Sequence, residues 1–97
     1  MKLMTKELRD TIPKLYEQEQ VEDKKVYCKF FTPDSNWTWF VTEFDGADTF
    51  FGYVIGLDKE WGYFSLSELE ATTGPLGLHI ERDLYFRQGV ASAVLNK

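Results

Sequence analysis

Ninety-seven residues point to a single domain, 1–97, built on one core. Eight Phe, five Tyr and three Trp supply that core without metal or disulfide staples, and they exclude a disordered chain. Eleven basic against sixteen acidic residues leave a net charge of −5, which argues against binding nucleic acid or an anionic membrane through phosphate contacts and favours a proteinaceous or cationic partner.

The opening residues 1–14 lack the apolar run of a signal peptide, and no stretch approaches the roughly 18 apolar residues of a spanning helix. Cys28 is the single cysteine, so no internal disulfide forms, and the expected setting is the cytoplasm. Thr5 caps a short helix with Leu8 and Ile12 on one side, which stops or kinks at Pro13. Pro13 suits the first turn of a second helical piece carrying Leu15 and Tyr16, followed by a solvated polar loop over 17–25.

From Val26 the apolar period changes to two, giving strands over 26–32, 37–44, 50–57 and 62–66. The intervening segments 33–36, 46–49 and 58–60 are short and rich in turn residues, so the strands join as an antiparallel meander. Ser65 and Ser67, each followed three residues on by Glu68 or Glu70, start a short helix that ends at Gly74-Pro75. Residues 75–80 are irregular, Leu84 to Phe86 form an edge strand or pack over the sheet, and 91–95 form a frayed helical tail. The expected fold is α+β: a four-stranded antiparallel meander with short N-terminal and C-terminal helices packed on one face.

If residues 46–49 close the second hairpin, Asp45 lies opposite Phe50, and pairing runs back through Phe44 with Phe51, Thr42 with Tyr53 and Phe40 with Ile55. One face then carries Phe40, Phe44, Phe51, Tyr53 and Ile55 as the core, covered by the N-terminal pieces and Leu69. The other carries Trp37, Trp39, Val41 and Glu43 against Gly52, Val54 and Gly56, with Trp39 across from Gly56. Glycine inside a strand marks a close approach by a ring or a ligand. Two readings follow: Trp39 fills the space over Gly56 beneath the C-terminal segment, or the trough stays open and binds. The candidate binding residues are Trp37 and Trp39, the loop Asp34, Ser35 and Asn36, and Glu43, Gly52 and Gly56.

Residues for chemistry are few. His79 has no second histidine and Cys28 no second cysteine, so a zinc site of the usual composition cannot be assembled within one chain, and neither a metal nor a cofactor is expected. Cys28 lies mid-strand, where a buried inert thiol is the common outcome. The acidic pairs Glu43/Asp45, Glu68/Glu70 and Glu81/Asp83 read as solvated faces. Arg82, flanked by Glu81 and Asp83, reads as a clamp that forks onto a carboxylate and pins the chain end to the sheet. No catalytic residue is assigned.

The run Lys29 to Trp39 (KFFTPDSNWTW), Thr42 to Asp45, Phe51-Gly52, Gly62 to Leu66 and Ile80 to Phe86 (IERDLYF) resembles a family of short bacterial proteins of unknown function often carried on plasmids and other mobile elements. The likeness runs from the opening residues to Phe86 and leaves the tail uncovered. The resemblance implies no activity or cofactor and favours a mobile-element accessory role over housekeeping metabolism. The expected function is therefore a non-enzymatic interaction module that docks onto another protein, such as a basic nucleic-acid-handling complex of host defence, without direct contact to nucleic acid or membrane. The alternative is a small hydrolase or ligand-binding protein using Glu43, Asp45 or Ser35 beside the aromatic trough.

Overall fold

Period-two runs become strands and the capping signals become short helices in the computed structural model, which describes residues 2–95. Thr5 accepts the Leu8 N–H on its side chain at 3.2 Å and starts α1 (Lys6–Thr11), which ends at Ile12, one residue ahead of Pro13. Residues 15–20 turn without forming the expected second helical piece. The strands follow as β1 (Lys25–Val26), β2 (Cys28–Phe31), β3 (Thr38–Phe44), β4 (Thr49–Ile55) and β5 (Lys59–Ser65). Ser65 caps α2 (Leu66–Ala71) by accepting the Glu68 N–H at 3.1 Å, and β6 (Glu81–Arg82), β7 (Gly89–Val90) and α3 (Ala91–Val94) close the described chain.

The architecture is α+β: a five-stranded antiparallel sheet in the order β5-β4-β3-β2-β6, with a few short helices. The expected meander strands are neighbours in it, and β6 adds an edge beside β2. The expected first strand is divided at Tyr27. Lys25 and Val26 leave the main sheet and pair with β7 as a separate two-stranded ribbon.

The register of the central hairpin differs from expectation by two successive one-residue shifts. Asp45 Oδ1 accepts the N–H groups of Ala47, Asp48 and Thr49 at 2.8, 2.8 and 3.0 Å, with Gly46 at φ +88°, so the turn closes between Asp45 and Thr49 rather than Asp45 and Phe50. Phe44 therefore pairs with Phe50 and Glu43 with Phe51. A β-bulge between Val41 and Glu43 then adds the second shift, pairing Val41 with Gly52, Phe40 with Tyr53, Trp39 with Val54 and Thr38 with Ile55. The bulge also reverses the alternation of side chains along β3. Trp39, Val41 and Phe44 share one face, Phe40 and Glu43 the other, which corrects the expected sets.

The inner face holds the main core: Cys28, Phe30, Trp39, Val41, Phe44 and Phe50 under Leu3, Met4, Ile12, Leu66, Leu69 and Ile80. Phe30, Phe44 and Phe50 are fully enclosed, each stabilising the fold by roughly 1.5–3 kcal/mol. On the outer face Phe40 packs with Val26, Ala91, Phe86 and Val94. The helices are thus divided between faces, with Leu8 of α1 and Leu66 and Leu69 of α2 on the inner side and α3 on the outer, not together on one face. Arg82, expected to fork onto a carboxylate, donates from Nη1 to the Lys2 and Leu3 backbone carbonyls at 2.8 and 2.7 Å and so ties the N-terminal segment to β6. Among the described residues no helix is long and apolar enough to cross a membrane.

Candidate functional site

The sequence-derived binding residues do not form one surface. Trp37 and Trp39, two apart on β3 and its approach, stack with ring centroids 5.9 Å apart on the inner face. Trp39 is 8% exposed and belongs to the core, while Trp37 is 38% exposed and covers it. The ring that lies over Gly56 is that of Trp37, where any Cβ would collide, and Trp39 faces Val54 instead. Gly52 lies so close to the Phe40 carbonyl beside the bulge that no Cβ fits, so it marks a backbone approach rather than a trough.

Asp34 ties its loop to a distant one. Its Oδ2 accepts the Leu76 N–H at 2.7 Å and lies 3.4 Å from that of Leu78, and its carboxyl occupies the space a Gly74 side chain would need. Ser35 and Asn36 are exposed at the loop tip. Glu43 sits on the opposite face and is buried, 3% exposed, which corrects its reading as a solvated acid.

The outer face is where aromatic side chains accumulate at the surface. The short turn through Gly56, Leu57 and Asp58, closed by the Gly56 N–H to the Asp58 carbonyl at 2.9 Å, starts β5 at Lys59 and sets Trp61 opposite Tyr53 and Tyr63 opposite Phe51. The rings pack as a ladder: Tyr53 edge-on to Trp61 at 5.2 Å, Trp61 stacked on Phe51 at 5.9 Å, and Phe51 edge-on to Tyr63 at 5.0 Å. Trp61 and Tyr63 remain 41% and 57% exposed. α3 covers Phe40, farther along the same face, where Tyr53 packs against that cluster, and leaves Trp61 and Tyr63 accessible.

One end of the ladder meets the segment after Pro13. The bulge frees backbone groups on β3, and this segment satisfies them. Phe44 N–H donates to the Pro13 carbonyl at 2.9 Å, and Gln18 Nε2 donates to the Thr42 and Lys25 carbonyls at 2.8 and 2.9 Å while its Oε1 accepts the Lys25 N–H at 2.7 Å. Gln18 is therefore buried, although the sequence places it in a solvated run. Glu43 accepts the Tyr16 N–H on Oε1 at 2.9 Å and the Gln18 N–H on Oε2 at 2.7 Å. These bonds hold Tyr16 at φ +73°, a region few non-glycine residues enter. Tyr16, Phe51 and Tyr63 with Glu19, Glu43 and Lys24 line a pocket of about 190 Å³. Interaction with the Tyr16 phenol, then burial, then the nearby charges including Glu43 and Glu19, hold the Tyr63 phenol above its ordinary pKa.

The family model described as "Protein of unknown function (DUF2958)" matches residues 3–95. The chain belongs to that family. The match extends the resemblance read from the sequence beyond Phe86 to the C-terminal helix of this family member. Comparison with curated proteins and with solved structures yields no match.

Elsewhere the chemistry is quiet. Burial pushes the Cys28 thiol up to about 12, against a smaller opposing effect of Arg82, so it is a protonated core side chain at neutral pH. His79 lines an open groove of about 650 Å³ with Glu70 and Glu81. Among the described residues no group of three or more His, Cys, Asp and Glu side chains comes together to hold a metal ion. The residues that sequence reading missed are Tyr16, Trp61 and Tyr63, together with the outward direction of Phe51 and Tyr53. The available signal was the alternation Lys59, Trp61, Tyr63, which places two rings on one face once the strand is started before Gly62.

Proposed function

We propose that this family member is a non-enzymatic protein-interaction module, and that the ladder Phe51, Tyr53, Trp61 and Tyr63 is the surface that docks onto a basic partner. The observation that carries the reading is the exposure of Trp61 and Tyr63, side by side on a sheet whose other aromatic positions are buried or half-buried. Aromatic rings fixed by their neighbours on a strand bind with little loss of freedom, which is why Trp and Tyr dominate interface hot spots. Net charge −5 and the carboxylates of Glu19 and Glu43 beside the ladder select a positively charged counterpart. A cytoplasmic, mobile-element protein that obstructs a nucleic-acid-handling complex of host defence fits this chemistry, because such complexes present basic surfaces. The resemblance to plasmid-borne proteins supports that setting.

Affinity capture from host lysate, comparing wild type with Trp61→Ala, tests the reading. A basic protein retained by wild type and lost by the folded variant, with association slowed by salt, is the expected result. Retention of no specific protein, or equal retention by both, would contradict it.

A further inference from the structure

We propose that the pocket between Tyr16, Phe51 and Tyr63 receives an arginine side chain of the partner protein, held by the ring faces and by the carboxylates of Glu19 and Glu43. This rests on the reading of the outer face as the docking surface and names what enters it. Three aromatic residues and two carboxylates line the same cavity of about 190 Å³. Aromatic faces attract a cation within about 6 Å of the ring centre. Each Glu43 oxygen accepts a single backbone N–H at 2.9 or 2.7 Å, so each keeps capacity for a second donor from inside the pocket. Glu43 is buried, so its charge acts with little screening by water.

The pocket's own cation is committed elsewhere. Lys24 Nζ donates to the backbone carbonyls of Gln18 and Val21, both at 2.8 Å, and more weakly to that of Glu19 at 3.4 Å, so its hydrogen bonds go to the loop backbone. The Tyr63 pKa is raised chiefly by its bond with the Tyr16 phenol and by burial, and the Glu43 and Glu19 charges act in the same direction. A guanidinium suits the site better than an ammonium, because its plane stacks on a ring while its edge donates to a carboxylate.

The test is amide chemical-shift titration of the intact chain with arginine amide and with its neutral isostere citrulline amide. Saturable shifts at Tyr16, Gln18, Phe51 and Tyr63 are expected for arginine amide, with citrulline amide about tenfold weaker, a difference of about 1.4 kcal/mol. Glu19→Gln, at an exposed position, should weaken arginine amide several-fold, and Tyr63→Ala, also exposed, should abolish the response with other amides unmoved. Equal response to the two probes, or arginine binding unchanged in both variants, would overturn the proposal. Failure of arginine amide to bind while partner capture still depends on Trp61 would remove the pocket and leave the docking face. Arginine-specific shifts with Trp61-independent capture would remove the face and leave the pocket.

Discussion

Removing the Glu43 carboxylate strands two backbone N–H groups at once, those of Tyr16 and Gln18. Buried donors without acceptors cost about 1–3 kcal/mol each, so Glu43→Ala is expected to lower unfolding stability by about 3 kcal/mol, and Glu43→Gln, which keeps one carbonyl acceptor, by about half as much. Urea denaturation of the two variants measures this, and a loss below 1 kcal/mol for the alanine variant would show that the segment is held by other contacts. Cys28 behaves oppositely, because burial keeps its thiol protonated. It should resist Ellman's reagent at mildly alkaline pH in the native state and react promptly in denaturant; fast native reaction would contradict its enclosure. The fate of Cys28 was legible, since a lone thiol in the middle of a strand run is most often a buried, inert side chain. Glu43 was not. Its partners are backbone N–H groups more than twenty residues away, and no side-chain pattern announces a backbone donor.

At the level of elements, periodicity showed which segments are strands, and caps showed where helices begin, as Thr5 and Ser65 confirm. Register was hidden for two local reasons. Asp45 folds its own side chain over the turn, shortening it by one residue, and Thr42 is an ordinary strand residue until the bulge makes it the extra one. Its hydroxyl then donates to the Phe51 carbonyl at 3.0 Å, a bond that depends on the bulge and cannot be read beforehand. Together these exchanged the expected faces of Trp39 and Phe40. The C-terminal helix depends on a remote cap, because Asp23 accepts the Ser92 N–H at 2.8 Å and the Ser92 hydroxyl at 2.5 Å across the chain. The hydroxyl bond, then the N–H bond, depress the Asp23 pKa below its ordinary 3.8, and slight burial does not offset them. A depressed carboxylate stabilises the docked helix fully above that ordinary value, and the contribution disappears as pH falls through the lower folded value. The protection factors of the α3 amides, taken against the intrinsic exchange rate at each pH, should therefore fall in acid, and Asp23→Asn should flatten that profile. An unchanged profile would show that the helix is held by Ala91 and Val94 alone.

Across the whole molecule, one sheet divides its aromatic residues between an enclosed inner face and a partly open outer one. Composition told of surplus rings and negative charge, but which rings face outward followed from the bulge and the turn, so the exposed Trp61 and Tyr63 became visible only in three dimensions. In the proposed function partner binding belongs to that outer ladder, whereas Trp37 covers Trp39 and Gly56. The most direct measurement is binding kinetics against the captured partner for wild type, Trp61→Ala and Trp37→Ala, each checked for an intact fold. Truncation of Trp61 should cost about 2 kcal/mol or more, roughly a thirtyfold loss of affinity carried mainly by faster dissociation, while Trp37→Ala should leave affinity within about twofold of wild type. The reverse pattern, with Trp37 required and Trp61 dispensable, would contradict the account and move the binding surface to the inner rim.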